Sequence, residues 1–582
     1  MRKLMRRSAA LAALVISIVA VPPALSAQYR TLNDRFDAPR IASPEAWSRR
    51  ARYLRDHVMA SAGLLPMPEK TPLRPVVFDE VPHADYSVSK VYFESLPGFF
   101  VTGNLYRPVG AGPFPAILSP HGHWANGRLE NTLINSGPGR AIGLARQGFV
   151  VLTHDMIGYN DSRQLSHTFG GRRENLWGLS LSGLQLWNSI RALDFLETLP
   201  YVRRDGFGVT GESGGGTQTF LLGAVDARVA VAAPVNMISL HMQGGCLCEN
   251  LPGLRLDTTN VEIAATIAPR PLLMVSATGD WTAETLEVEY PAVRAIYALL
   301  GAAERVHAVR LDAEHNFNKE SREAMYAWMA RWLQHAPADV RRAEPSFVAD
   351  QLTDLLVFYG RGLPDGAATR AQITDQWIAS AKSQIAAADG TLLATALRHA
   401  LGYGDSDASP TSSTVQGRRT IVIAGVSPDV ESALRRTGAD VRAVTFAPFD
   451  QASADTVRHF DTYNRTPASQ RVEAIVAALR DSPSAVLVAS GDAALAGLLA
   501  TAIVPVRKAI LDVARFDTSS DAAFVERVYI PGLRRAGDFQ TAARMARGDV
   551  LVHGAGNTFN VSGLRAEPRT LSPAEIAALA RK

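Results

Sequence analysis

Cysteine is nearly absent from this 582-residue chain; only Cys246 and Cys248 occur. Two cysteines that close in sequence exclude a disulfide framework as the source of stability. A bond between them would be geometrically strained, although an exported compartment would permit one. With His241 they make three zinc ligands, but no fourth is apparent. The order of expectation is therefore free thiols in a packed turn, then a strained disulfide, then metal, and the metal prediction is none. A clustered Lys/Arg stripe is also missing, which argues against nucleic acid as a partner. Past Val21 no apolar run is long enough to cross a membrane. No cysteine stands near the end of the leader, which argues against a lipid anchor.

What is present begins with a leader. Residues 1–27 carry Arg2, Lys3, Arg6 and Arg7, then an apolar run to Val21, then the small residues of Ala24-Leu25-Ser26-Ala27. That layout predicts an export signal and a secreted or periplasmic protein. The whole chain holds 60 Lys+Arg against 56 Asp+Glu. Loss of the leader's four basic residues makes the remainder formally neutral. A hydrophobic content of 47% over this length is ample for two or three cores.

Residues 28–75 read as a helical lead-in. From Val88 onward short apolar runs alternate with amphipathic helices, which predicts a mostly parallel sheet covered on both faces. YSVSKVYFES and FFVTGNLYRP read as an antiparallel pair ahead of it. Residues 340–401 are largely helical in pattern, and 402–419 is the best linker, rich in Gly, Ser, Asp, Pro and Thr. Beyond it TIVIAG restarts the alternation. The division is a leader at 1–27, a catalytic unit at 28–339, a helical connector and linker at 340–419, and a second α/β unit at 420–582.

The chemistry centres on FGVTGESGGGTQTF, where Ser213 follows a strand and precedes a helix. Serine acyl transfer needs an activated hydroxyl, a base, an acid to orient that base, and donors for the oxyanion. The order Ser, Asp, His with serine on a strand-to-helix turn is the α/β-hydrolase arrangement. Asp280 follows the strand PLLMVSATG and His315 follows VHAVRL, so all three stand at strand carboxyl ends, where an open sheet builds its site. Rivals remain: His307 for the base, although it falls inside a strand, and Glu249 or Asp257 for the acid. The amides of Gly214 and of His123, in LSPHGHWANG, are the expected oxyanion donors. Trp124 and Trp281 either form a stacking surface for a sugar ring or pack the loop bases. Glu249, in the pocket loop MQGGCLCENLPG (242–253), joins them as a candidate substrate contact.

LSPHGHW, THDMIGYNDS, LDFLETLPYVRRDGFGVTGESGGG, RPLLMVSATGDWT and EHNFN together resemble the acetyl xylan esterase-like and dienelactone hydrolase-like group of the α/β-hydrolase superfamily, over residues 80–335. The third residue of HGH is His123 where that group often has an aromatic. Ser213 stands where true dienelactone hydrolases carry cysteine. The resemblance implies carboxylic-ester hydrolysis, often deacetylation of plant polysaccharides, on a small acylated carbohydrate or another ester, without a cofactor. The alternative is a serine peptidase of the prolyl oligopeptidase kind. Those enzymes usually carry a large β-propeller ahead of the catalytic part, and no repeated blades occur here.

The second unit repeats the element order of the first. TIVIAG stands for FPAILSPHG, DVRAVTFAP for FVVLTHDM, and SAVLVASGDAALAGLLATA for the elbow segment. That alignment sets Gly491 opposite Ser213 and Asn557 opposite Asp280, with no histidine after Asn557. The unit also lacks the G-x-G-x-x-G of a dinucleotide site. It is expected to be a degenerate hydrolase-like domain without chemistry of its own.

Overall fold

A computed structural model describes residues 29–404 and 419–582; the leader and most of the linker lie outside the described residues. The first sheet has nine strands. They are β1 (Val76–Pro82), β2 (Tyr86–Leu96), β3 (Phe99–Pro108), β4 (Phe114–Leu118), β5 (Val150–His154), β6 (Val202–Glu212), β7 (Val229–Val235), β8 (Leu272–Ala277) and β9 (Val306–Leu311). Their spatial order is β1-β2-β3-β5-β4-β6-β7-β8-β9. The first three strands and the β3–β5 pair are antiparallel, and every later pair is parallel. This is the α/β-hydrolase topology, with the strand order reversing around β4.

The parallel strands read as unbroken apolar runs because helices bury both of their faces. β5 and β8 are buried at every position. One face carries the helices Leu181–Thr198 and Gly214–Val225, the other Gly137–Arg146 and Lys319–Leu333. Ser180 and Ser136 start two of these helices, each accepting from the amide three residues on. Loss of such a cap costs about 1 kcal/mol. Two expectations need correcting. β1 went unforeseen because it is a largely exposed edge strand with no apolar alternation to mark it. The connector is only partly helical, at Leu352–Leu355, Arg370–Ala387 and Gly390–Ala400.

The second sheet holds β10 (Thr420–Ala424), β11 (Asp440–Ala443), β12 (Val486–Ser490), β13 (Lys508–Asp512), β14 (Asp549–His553) and β15 (Arg565–Ala566). It runs β11-β10-β12-β13-β14-β15, all parallel. That is the order β5-β4-β6-β7-β8-β9 of the first sheet over again. One apolar cluster spans both units, taking in Trp187 and Leu251 with Leu498 and Phe539. Arg535 of the second unit, 2% exposed, donates to the carbonyl of Gly63 at 2.9 Å and also to that of Pro66. Among the described residues no helix is long and apolar enough to cross a membrane.

Candidate active site

β6 ends at Glu212 and the next helix begins at Gly214, so Ser213 alone makes the turn. Its backbone sits at φ 54°, ψ −119°, a region that L-residues with side chains seldom occupy. The flanking glycines make this possible. A Cβ on Gly211 would lie 2.4 Å from the carbonyl oxygen of Pro120, and one on Gly215 only 2.5 Å from the same atom. The elbow therefore presses directly against the loop that follows β4.

Asp280 and His315 come from the loops after β8 and β9. His315 Nδ1 lies 2.8 Å from Asp280 Oδ2, with the carboxylate side chain 2% exposed and the imidazole 25% exposed. The other oxygen of Asp280 accepts from the amide of Thr282 at 2.7 Å and from its hydroxyl at 2.5 Å. With Nδ1–H given to the carboxylate, Nε2 carries the lone pair that a general base needs. Among the described residues this is the one hydrogen bond His315 makes; in resting hydrolases the contact to the nucleophile often tightens only with substrate. A Cβ on Gly122 would touch Ser213, and Trp124 stacks on His315 with centroids 6.3 Å apart. These contacts bring the elbow and the imidazole to one edge of the sheet.

The loop after β4 is held by groups that sequence reasoning missed. Glu212, fully buried in the motif itself, accepts from the Gly122 amide at 3.0 Å and from Trp124 Nε1 at 2.8 Å. Its second oxygen pairs with the buried Arg140 at 2.8 Å, and Arg140 also reaches Ser119 Oγ. Their signal was a glutamate inside an apolar strand end and an arginine in the apolar middle of a helix. His121 accepts from the Met156 amide at Nε2, so its Nδ1–H donates to Gly122; burial keeps this ring neutral. The amides of His123 and Gly214 have no acceptor among the described residues.

The remaining candidates fall as follows. Glu249 is buried away from His315, and its Oε2 caps the amides of Gly245 and Cys246. Asp257 pairs with Arg50, and the exposed His307 packs on Trp328 from within β9. Trp124 and Trp281 both pack against His315, the latter at 4.5 Å, and each is half-buried. His241 faces Glu284 at 3.6 Å and stands apart from the cysteines. Cys246 and Cys248 are not joined. They meet two histidines instead, His123 and His167. Hydrogen bonding from Cys248, opposed by burial and reinforced by both histidines, holds the Cys246 thiol far below the ordinary thiol range. Burial pushes Cys248 up.

No family model matches the chain. A curated protein of Bacillus subtilis (strain 168), "Putative hydrolase YtaP", is 27% identical over 258 residues, covering 41% of this chain and 84% of its own length. Among solved structures, methylesterase BT1017 is 28% identical with a TM-score of 0.46, over 61% of this chain and 77% of that one. A glucuronoyl esterase from Solibacter usitatus is 17% identical with a TM-score of 0.38, over 50% of this chain and 94% of that one.

Proposed function

We propose that this chain is an exported serine carboxylic-ester hydrolase that removes acetyl or related acyl groups from a carbohydrate. The observation that carries the reading is the 2.8 Å bond from His315 to Asp280, together with a serine held at φ 54° on the strand-to-helix turn. Ser213 Oγ attacks the acyl carbon while His315 Nε2 takes its proton and Asp280 steadies the imidazolium. The amides of His123 and Gly214 stabilise the oxyanion. His315 then returns the proton to the departing alcohol, and water cleaves the acyl-enzyme by the same route. The half-exposed indoles of Trp124 and Trp281 beside His315 supply aromatic surface for a sugar substrate. Similarity to a protein named as a hydrolase supports hydrolysis but carries no substrate.

The second unit, on this reading, has no chemistry and supports the first. Arg458 donates to the carbonyl of Gly245 at 2.6 Å, and the carbonyls of Asp461 and Thr462 accept from Gly253 and Arg255. It thus braces the loop after β7. The test is a panel of acetylated oligosaccharides, glucuronoyl esters, feruloyl esters and aminoacyl arylamides, run with the wild type and Ser213→Ala. Acetyl-ester turnover and fluorophosphonate labelling should be lost in the variant, by on the order of 10⁴ to 10⁶ in kcat. Turnover confined to aminoacyl arylamides would instead place the protein with the serine peptidases.

A further inference from the structure

Four soft ligands from three loops converge beside the elbow. His123 belongs to the loop after β4, His167 to the loop after β5, and Cys246 and Cys248 to the loop after β7. One ligand atom from each lies within 4.8 Å of the other three. Cys248 is 2% exposed and the other three side chains are partly buried.

The histidines are set up as ligands. His167 Nδ1 lies 2.6 Å from the Ile157 carbonyl, so that nitrogen must carry the proton and Nε2 the lone pair. His167 Nε2 is itself buried beside the Cys246 thiol, without a hydrogen bond of good geometry. A histidine that donates one ring N–H to a backbone carbonyl and turns the other nitrogen inward has the usual arrangement of a metal ligand. His123 directs Nε2 to Cys248 Sγ, 2.9 Å away, while its Nδ1 faces the buried Glu249 carboxylate at 3.9 Å. Glu249 meanwhile holds the amides of Gly245 and Cys246, fixing the loop that bears both thiols.

We propose that His123, His167, Cys246 and Cys248 form a closed tetrahedral zinc site that clamps the oxyanion loop to its two neighbours. Two thiolates and two imidazoles are the donor set zinc favours, at roughly 2.3 Å from sulfur and 2.0–2.1 Å from nitrogen. Zn²⁺ binds two thiolates and two neutral imidazoles, any remaining thiol proton leaving to solvent, and the resulting centre is neutral, which suits burial. Protein donors fill all four positions, so the ion has no place for water and acts structurally. Its effect on turnover runs through His123, whose ring supplies a ligand while its own amide faces the oxyanion. A Cβ on Gly214 would lie 2.7 Å from the His123 ring, so the same ring rests on the other donor residue. This second step rests on the ester-hydrolase reading; the metal site does not.

The test uses the full mature chain produced in zinc-supplemented medium and measures metal by mass spectrometry alongside thiol titration. Wild type and Ser213→Ala should each carry about one zinc per chain, with both thiols unreactive until a chelator is added. Cys246→Ser and His167→Gln should lose the zinc, and His241→Gln should retain it. Cys246 is the less buried thiol, and a circular dichroism spectrum separates metal loss from misfolding. Metal-free protein with two freely reactive thiols, or a peptide mass showing a Cys246–Cys248 disulfide, overturns the site. Chelation should lower kcat by about 10²-fold with little change in KM. Zinc removal that leaves kcat intact overturns the clamp. About one zinc per chain in wild-type protein that hydrolyses no ester would uphold the metal site and overturn the ester-hydrolase reading, so the two readings fail separately.

Discussion

Gly491 repeats the backbone of Ser213. It stands at φ 63°, ψ −135° between β12 and the helix Asp492–Thr501, as Ser213 stands at φ 54°, ψ −119° between β6 and its helix. The second sheet has the same sharp turn without a hydroxyl on it. Nothing lies within 4 Å of a Cβ built on Gly491, so the cost of a side chain there is backbone strain alone. Gly491→Ala should destabilise the protein by about 1–3 kcal/mol in urea titration. Gly491→Ser placed in a Ser213→Ala background should restore no esterase activity. Recovered turnover would show that the second unit retains a working base.

Asp280 is the carboxylate that meets His315. Asp280→Asn should lower kcat by about 10⁴-fold, because the amide favours the wrong imidazole tautomer. Asp257→Asn, which removes a partner of Arg50 on the surface, should leave kcat near the wild-type value. Comparable losses in both would mean that the acid has been misassigned.

Glu212 ties three parts of the site together, so Glu212→Gln should act on turnover more than on binding. We expect kcat to fall by about 10- to 100-fold with KM nearly unchanged, since a loosened Gly122–Trp124 segment misplaces the adjacent donor. Arg140 would be left buried without its counter-charge, at a cost on the order of 3 kcal/mol. A stability loss without any change in kcat would reduce Glu212 to a structural role.

Acid should loosen the join between the lead-in helix and the connector. His57 Nε2–H donates to the Gly253 carbonyl, so His399 Nδ1–H donates to His57 Nδ1, 3.3 Å away. Burial, then the His57 neighbour, holds His399 down at about 3 despite the opposing pull of Asp257. Burial lowers His57 as well, with Arg50 and Arg255 adding to it and Asp257 opposing. Both folded values lie below the unfolded one, so this stability is present above about pH 6.5 and drains away as pH falls toward 3. His399 alone should account for about 2 kcal/mol between pH 8 and pH 5. The urea midpoint of the wild type should drop further over that interval than that of His399→Gln; parallel shifts would sink the assignment.

Local rules made much of this protein legible in its sequence. A strand, one glycine-flanked serine and a helix specify an elbow over a dozen residues, because the turn's dihedral angles depend on the residues in it. Apolar runs separated by amphipathic stretches marked the buried parallel strands and the repeat in the second unit for the same reason. β1 escaped because an exposed edge strand leaves no apolar pattern. Other features were decided only when distant loops met at one edge of the sheet. The sequence favours Asp280 as the acid for its place after a strand, with Glu249 and Asp257 as rivals, and the 2.8 Å contact to His315 separates it from them. Cys246 and Cys248 had His241 as their sequence neighbour, yet the fold turns that ring toward Glu284 and brings in His123 and His167. Nothing local to His167 marks it as a ligand, since its partners lie in other loops and a ligand set is defined by distances in space. Short-range sterics can be read from neighbouring residues, whereas convergence across a sheet depends on how every strand between them is ordered.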